Sequence, residues 1–369
     1  MKKILPIYIN GLQINLICQN EQLYDEQLKL FKNFITKEEG EVVKEIDVYY
    51  TKKQSIIDTL HQKIASDTKH YSINPFGKQV FLVQEKESYS RYMSDKKDNM
   101  SVKHKNGFYV VVGAENQNTK YAPYTLILEL ISRYNEENNH AIFHSTGFTL
   151  GDKGILTIGE SGSGKTTFLS KLFETNSDMA FLSNDRVYVG NGKMYYFPIE
   201  IILSMGTVKH SEKLRKYFTE RKITEGWLNK PLEETKNSEK CGVKPRTFCE
   251  INGLKYTPQA DLSMIVFPQI DLVDRDSIEV RILTKEEAIE KLKLSCYTPH
   301  DKEAHRDMWV DKGSMTMEDL EHMSNEVIEN IANGTYCISC KYGCNVSGEQ
   351  ILKEINKHLK KLEGAKHGK

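Results

Sequence analysis

The stretch Gly159-Glu160-Ser161-Gly162-Ser163-Gly164-Lys165-Thr166 limits the fold of this chain more than any other, because it stands between a short, mostly apolar strand, Ile155 to Ile158, and the opening of a helix. Glycines at this spacing let the backbone curl so that successive amide hydrogens point at one phosphate, and the positive end of the following helix adds to their field. The pattern Gly159-x4-Gly164-Lys165-Thr166 assigns Lys165 to the β- and γ-phosphates of a nucleotide as a point charge, and the Thr166 hydroxyl to Mg2+. Thr167 follows as a further residue of this binding set. A strand-loop-helix unit of this kind implies an α/β domain built around a nucleotide.

The second half of such a site is expected at Asn184-Asp185, which follows the apolar run Ala180-Phe181-Leu182-Ser183. A carboxylate at the end of a buried strand can hold Mg2+, directly or through water, or accept a proton from an attacking hydroxyl. The other reading of Asn184-Asp185 is an Asx turn that starts a hairpin. Val187 to Val189 and Met194 to Phe197 read as that hairpin, around Gly190-Asn191-Gly192.

The run from His144 through Gly154-Ile155-Leu156-Thr157-Ile158 and the glycine loop to Leu182-Ser183-Asn184-Asp185-Arg186-Val187 resembles the catalytic domain of HPr kinase/phosphorylase and its diverse relatives. The close match spans roughly 45 residues, about an eighth of the chain, so it speaks to family more than to substrate. The resemblance implies a phosphoenolpyruvate-carboxykinase-like fold, with ATP and Mg2+ as cofactors. It also implies a histidine before the loop and an acidic pair after the second strand, flanking the γ-phosphate in base and metal roles. His144 matches the histidine and Asp185 the second acidic position. Asn184 stands where HPr kinases carry the first aspartate, and an amide takes no proton at neutral pH. The glutamate-containing, glycine-rich segment that completes the metal site of HPr kinases has no close match, which argues against HPr as the substrate and against phosphorylase activity.

On this basis the expected activity is transfer of the γ-phosphoryl group of Mg-ATP to a hydroxyl of a peptide or protein serine, or of a small molecule. Lys165, Asp185 and His144 would be catalytic and Thr166 and Asp185 the metal ligands, with Asn184, Arg246 and Arg306 near the substrate. The two arginines lie in loop-like stretches, Lys244-Pro245-Arg246 and Thr298 to Trp309, where a guanidinium can stabilise charge on a phosphoryl group in flight. A regulatory module that binds ATP without any acceptor is the competing reading. A decarboxylating carboxykinase is disfavoured, since no cluster of metal ligands and substrate-binding arginines is visible.

Composition narrows the partners. Lys+Arg and Asp+Glu both number 51, so no bulk positive charge draws the chain to nucleic acid or to an anionic membrane. No apolar run reaches the length of a membrane span. Met1 to Asn10 reads as a first strand rather than a leader, and a cytoplasmic protein is expected. Seven cysteines, an odd number and mostly scattered, suit a reducing compartment. Cys337, Cys340 and Cys344 form a C-x2-C-x3-C run with two readings: three thiolates toward a metal, or small apolar residues on a strand ending at Gly343.

The expected organisation is an N-terminal mixed α/β domain over 1–140, in a substrate-recognition role, and an HPr-kinase-like nucleotide domain over 141–363 with a lid or insertion near 205–253. The first contains strands Ile4 to Ile9, Val80 to Val83 and Phe108 to Val112, a helix from Gln27 to Ile35 and a loop around Ser94 to Asn99. A helix from Ala122 to Asn138 joins the halves. Further on come a strand from Leu262 to Phe267, a helix opened by Thr284 and a terminal helix from Gly348 to Leu362. A homo-oligomer is left open.

Overall fold

The computed structural model describes residues 2–31, 42–66, 69–73, 78–85, 88–94, 99–105, 107–114, 119–160, 162–175, 178–221, 225–230, 239–299 and 315–367. It is a mixed α/β structure that divides into two compact units, with Met1–Asn138 in one and Asn139–Pro299 with Glu318–Lys369 in the other.

The first unit runs β1 (Lys3–Ile9), β2 (Leu12–Cys18), α1 (Glu21–Phe31), β3 (Lys44–Thr51), α2 (Gln54–Ser66), β4 (Lys69–Ile73), β5 (Lys78–Glu85), β6 (Ser88–Ser94), β7 (Asn99–Lys105), β8 (Phe108–Gly113) and α3 (Ala122–Glu137). Its strands form one mixed sheet in the order β1-β2-β3-β8-β7-β6-β5-β4. Asn10 and Gly11 both take positive φ, 50° and 84°, the pair of left-handed residues a tight hairpin between β1 and β2 needs. Along β2, Leu12, Ile14, Leu16 and Cys18 are buried in alternation, so one face meets the core. The helix expected from Gln27 to Ile35 begins earlier, at Glu21, and is described as far as Phe31; positions 32–35 lie outside the described residues, as do 95–98 of the expected loop.

The second unit runs β9 (Ala141–Phe143), β10 (Ser145–Leu150), β11 (Lys153–Ile158), α4 (Lys165–Phe173), β12 (Met179–Ser183), β13 (Val187–Gly190), β14 (Lys193–Tyr196), β15 (Ile201–Ser204), α5 (Met205–His210), α6 (Glu212–Glu220), α7 (Glu225–Leu228), β16 (Lys240–Val243), α8 (Pro245–Asn252), β17 (Lys255–Tyr256), β18 (Gln259–Asp271), β19 (Ile278–Ile282), α9 (Lys285–Ser295), α10 (Met317–Gly334), β20 (Tyr336–Gly343) and α11 (Gly348–His367). The central strand β11 pairs antiparallel with β10 and parallel with β18, and β18 in turn pairs parallel with β20. Strand β11 is buried on both faces from Gly154 onward, with Ile155, Leu156 and Ile158 as its apolar side chains. The long β18 also meets β14 through Gln259 to Asp261, which carries the sheet on into β13 and β9. Asn191 and Gly192, at φ 54° and 71°, close the β13–β14 hairpin.

One face of this sheet packs on α4 and α11, with Phe148, Ile155, Phe168, Leu172, Met264, Ile338 and Ile355 in a shared core. The 205–253 stretch contributes Met205, Val208, Leu214, Phe218 and Phe248 to that same core. Helices α5, α6 and α8 are therefore anchored in that core by apolar burial, with α5 packed on α4. Strand alternation sends Cys337 and Cys340 of β20 to opposite faces, with Cys340 in the core beside Ile338 and Tyr342. These two thiols do not converge on one point, and burial pushes both up to about 12. They pack as small apolar side chains on a strand that ends at Gly343.

Candidate functional site

The glycine loop leaves β11 at Ile158 and enters α4 at Lys165. Gly162 and Gly164 sit at φ +86° and +95°, a region that L side chains rarely adopt. Gly164 is the N-cap of α4 and offers no side chain to bond the first helical amides, which leaves them for a ligand. The loop is also clamped from the sheet. The Tyr342 hydroxyl donates to the Gly164 carbonyl at 2.9 Å, and the Ile270 amide donates to the Ser163 carbonyl at 3.0 Å. A Cβ on Gly164 would stand 2.7 Å from the Tyr342 hydroxyl oxygen, and one on Gly159 would stand 2.5 Å from Ser163 Oγ. At Gly164, with its positive φ and the Tyr342 hydroxyl and Ile270 against it, glycine is required by close approach; at Gly159 a side chain would have to displace the Ser163 hydroxyl. Ser161 lies outside the described residues.

Lys165 is 7% exposed, and its Nζ donates back to the carbonyls of Gly159 at 2.7 Å and Glu160 at 3.0 Å. Burial lowers its pKa from the usual lysine value to about 8, against the opposing pull of Asp185. The ammonium thus closes the loop on itself and sits in a low-dielectric pocket where an arriving anion gains much from its charge. Thr166 turns its hydroxyl toward Asn184, at 3.5 Å from Oδ1. Thr167 instead meets the Thr207 hydroxyl on α5 at 3.1 Å, and Thr207 meets Ser204 at 3.0 Å.

At the end of β12 the chain turns through Asn184 and Asp185. Asn184 is buried, and its Oδ1 also accepts from the Thr146 hydroxyl of β10 at 2.9 Å. Asp185 takes a left-handed φ of 70°, which Asp tolerates better than most residues. Its backbone carbonyl accepts from the Ser145 amide at 3.3 Å, so the turn is tied to the strand that begins just after His144. The carboxylate is gripped on both oxygens: His144 Nε2 lies 3.3 Å from Oδ1 and Arg186 Nη1 2.9 Å from Oδ2. Burial raises the Asp185 pKa, but the His144 hydrogen bond and the charges of Arg186, His144 and Lys165 together bring it below the usual carboxylate value. Asp185 is therefore ionised at neutral pH.

The structure brings His144, Asn184 and Asp185 together and sets Thr166 against Asn184, with Lys165 within electrostatic reach of Asp185. It does not bring Arg246 among them: that side chain is exposed on α8 and pairs with Glu250 one turn on, at 3.2 Å. Arg306 lies outside the described residues. Arg186 and Tyr297 are the residues that sequence reasoning missed. Arg186 had a signal, being a cation directly beside the candidate carboxylate; Tyr297 had none, since it reaches the site only through tertiary contact. Among the described residues no group of three or more His, Cys, Asp or Glu side chains converges as a metal centre. Two neutral oxygen donors, Thr166 Oγ1 and Asn184 Oδ1, do lie side by side at the start of α4. Oxygens of these two kinds could serve a hard cation such as Mg2+, which usually takes one or two carboxylates as well and fills its sphere with water and phosphate.

Amide hydrogens at a helix start, a buried ammonium, paired hydroxyl and amide oxygens and an ionised carboxylate beside an imidazole make up the arrangement. It can hold a tetrahedral anion and accept a proton next to it. No protein-family model matches this chain, and no curated protein matches it.

Proposed function

We propose that this protein is an ATP-dependent phosphotransferase of the HPr-kinase-like, phosphoenolpyruvate-carboxykinase-like type, moving the γ-phosphoryl group of Mg-ATP to a hydroxyl of a peptide or protein serine or of a small molecule. The observation that carries this reading is the meeting of the two half-sites: the glycine loop with buried Lys165 on one side, Asn184-Asp185 with His144 on the other, joined where Thr166 faces Asn184. In it, the loop amides and Lys165 bind the β- and γ-phosphates. Thr166 and Asn184 would hold Mg2+, and Asp185 would act on it through water. A bound Mg2+ supplies charge neutralisation on the phosphate oxygens.

Asp185 then orients the acceptor hydroxyl and receives its proton, and His144 holds the carboxylate in place. A carboxylate with a lowered pKa is a weak base, yet phosphoryl transfer passes through a loose transition state that asks little of one. With an amide at position 184, the forward direction leans on Asp185 alone.

The test uses the purified protein with Mg2+ and γ-labelled ATP, seryl peptides and small hydroxyl compounds as acceptors, and mass spectrometry as the readout. Transfer should occur with wild type and be lost in Lys165→Ala, while Asp185→Asn should cost turnover far more than ATP binding. Wild-type turnover in Lys165→Ala would sink the phosphate-loop assignment. The second reading, a module that binds ATP without an acceptor, draws on the amide at Asn184 and on the two-sided engagement of Asp185. Tight ATP binding with neither transfer nor hydrolysis across the acceptor panel would select it. No ATP binding at millimolar concentration would overturn both.

A further inference from the structure

We infer that Tyr297 is a positioning residue: its ring is the platform that holds His144 and Arg186 in their two-sided grip on the Asp185 carboxylate. The His144 imidazole stacks on the Tyr297 ring at 5.3 Å between centroids and an interplanar angle of 12°. The Arg186 guanidinium lies over the same ring at 5.4 Å. One aromatic side chain therefore touches both donors, and each donor takes a different oxygen of Asp185. Flat groups stacked on a ring lose freedom about the axes that would swing their N–H bonds away, and a cation over the ring gains from its negative face.

The ring is itself fixed by the backbone around it. After α9 the chain lies along β9, the strand that leads into His144. Cys296 bridges to Phe143, the His144 amide donates to the Ser295 carbonyl at 2.8 Å, and the Tyr297 amide donates to the Ile142 carbonyl at 2.8 Å. One residue on, the Thr298 hydroxyl accepts from the Ile142 amide at 3.0 Å. His144 and Tyr297 thus sit on two paired segments in a register set by three hydrogen bonds to backbone atoms, two of which make the Phe143–Cys296 bridge. Such a pairing is what a catalytic group needs when it must keep its orientation within a few tenths of an ångström.

The effect on turnover rests on the proposed phosphotransferase reading; the effect on the His144–Asp185 contact does not, so the test reads both. The contact is read by proton NMR of the nucleotide-free protein near neutral pH, with Asp185→Asn and His144→Gln used for assignment. Wild type should show a downfield His144 Nε2 proton protected from exchange by Asp185, together with ring protons of His144 shifted upfield by the stacked ring. Tyr297→Phe keeps the platform and should keep both signals. Tyr297→Leu, and Tyr297→Met as a second variant, should lose the protected proton while amide spectra show an intact fold. In the kinase assay the Leu and Met variants should lose at least about tenfold in kcat with the KM for ATP within about twofold, and Phe should restore kcat. The inference is overturned if wild-type His144 shows neither signal, if the protected proton survives in a folded Leu or Met variant, or if Tyr297→Phe behaves like Tyr297→Leu. An absence of transfer in wild type with the NMR pattern as expected would defeat the kinase reading and leave the positioning role standing.

Discussion

Raising the pH from 7.5 to 9 should weaken ATP binding through one group, Lys165. Its ammonium is buried beside the glycine loop and its pKa is lowered to about 8. At pH 7.5 about three quarters of the free protein carries the charge, and at pH 9 about one tenth. A triphosphate bridged by the ammonium holds that proton, so the bound form stays charged across the window. The apparent Kd should therefore rise about eightfold, which is about 1.2 kcal/mol. Among the described residues, Asp185 acts on Lys165 and is already ionised, with Arg186, which stays charged, and His144 beside it. In the free protein the same shift means that charged Lys165 costs up to about 3 kcal/mol against an exposed lysine, offset in part by its two carbonyl contacts. Because the folded pKa is the lower one, that cost is present at neutral pH and fades as pH rises from about 8 toward the ordinary lysine value. Calorimetric titration of Mg-ATP at several pH values gives the Kd, and Lys165→Arg is the control, since a guanidinium stays charged throughout. A wild-type Kd constant within twofold, or an equal rise in the Arg variant, would refute the assignment of the effect to a buried Lys165.

Three further outcomes are expected. His140 is buried, stacks on Tyr195 at 4.5 Å, and has its pKa lowered to about 4 by burial. Its neutral form is favoured by the fold, so stability is full above about pH 6.5 and falls as pH drops toward 4, by about 2.5 kcal/mol at pH 4.5. Denaturant midpoints should show that slope in wild type and a flatter one in His140→Phe. Gly164→Ala places a Cβ against Tyr342 and Ile270 at a φ of +95°; it should cost roughly 1–3 kcal/mol in thermal unfolding and abolish ATP binding, and a wild-type melting point would contradict the clamped-loop geometry. With an amide at Asn184, purified phospho-product should resist excess phosphate and Mg2+ in the absence of ADP. Rapid pyrophosphate formation there would show that phosphorolysis survives without the first aspartate.

Features whose cause lies within a few residues were open to reading from the chain alone. The glycine loop is one, because only glycine takes φ near +90° at low cost and the strand before it is short, buried and mostly apolar near its end. The Asn191-Gly192 hairpin and the helix start at Thr284 are others. There the threonine hydroxyl accepts from the Glu287 amide while the Glu287 carboxylate accepts from the Thr284 amide. The strand around Cys337 and Cys340 was legible as one of two alternatives, and side-chain alternation separates them. Strand β10, by contrast, gave no clear pattern: Ser145, Thr146 and Thr149 are polar yet buried, so both faces of this strand are covered and no alternation marks it.

The condition of the site lies beyond local reading. Asp185 could be named a carboxylate at a strand end, but its two-sided grip depends on β9, β12 and the segment after α9 arriving at one place. The lowered pKa of Lys165 comes from burial, which no spacing rule encodes. The sequence singles out Arg246 and passes over Arg186, yet the fold puts the first on an exposed helix face beside Glu250 and the second against Asp185. Residue chemistry and backbone preference are properties of short stretches, so they survive in the linear text. Distance, desolvation and orientation are set by the register of strands far apart in the chain, so they exist only once the sheet has formed.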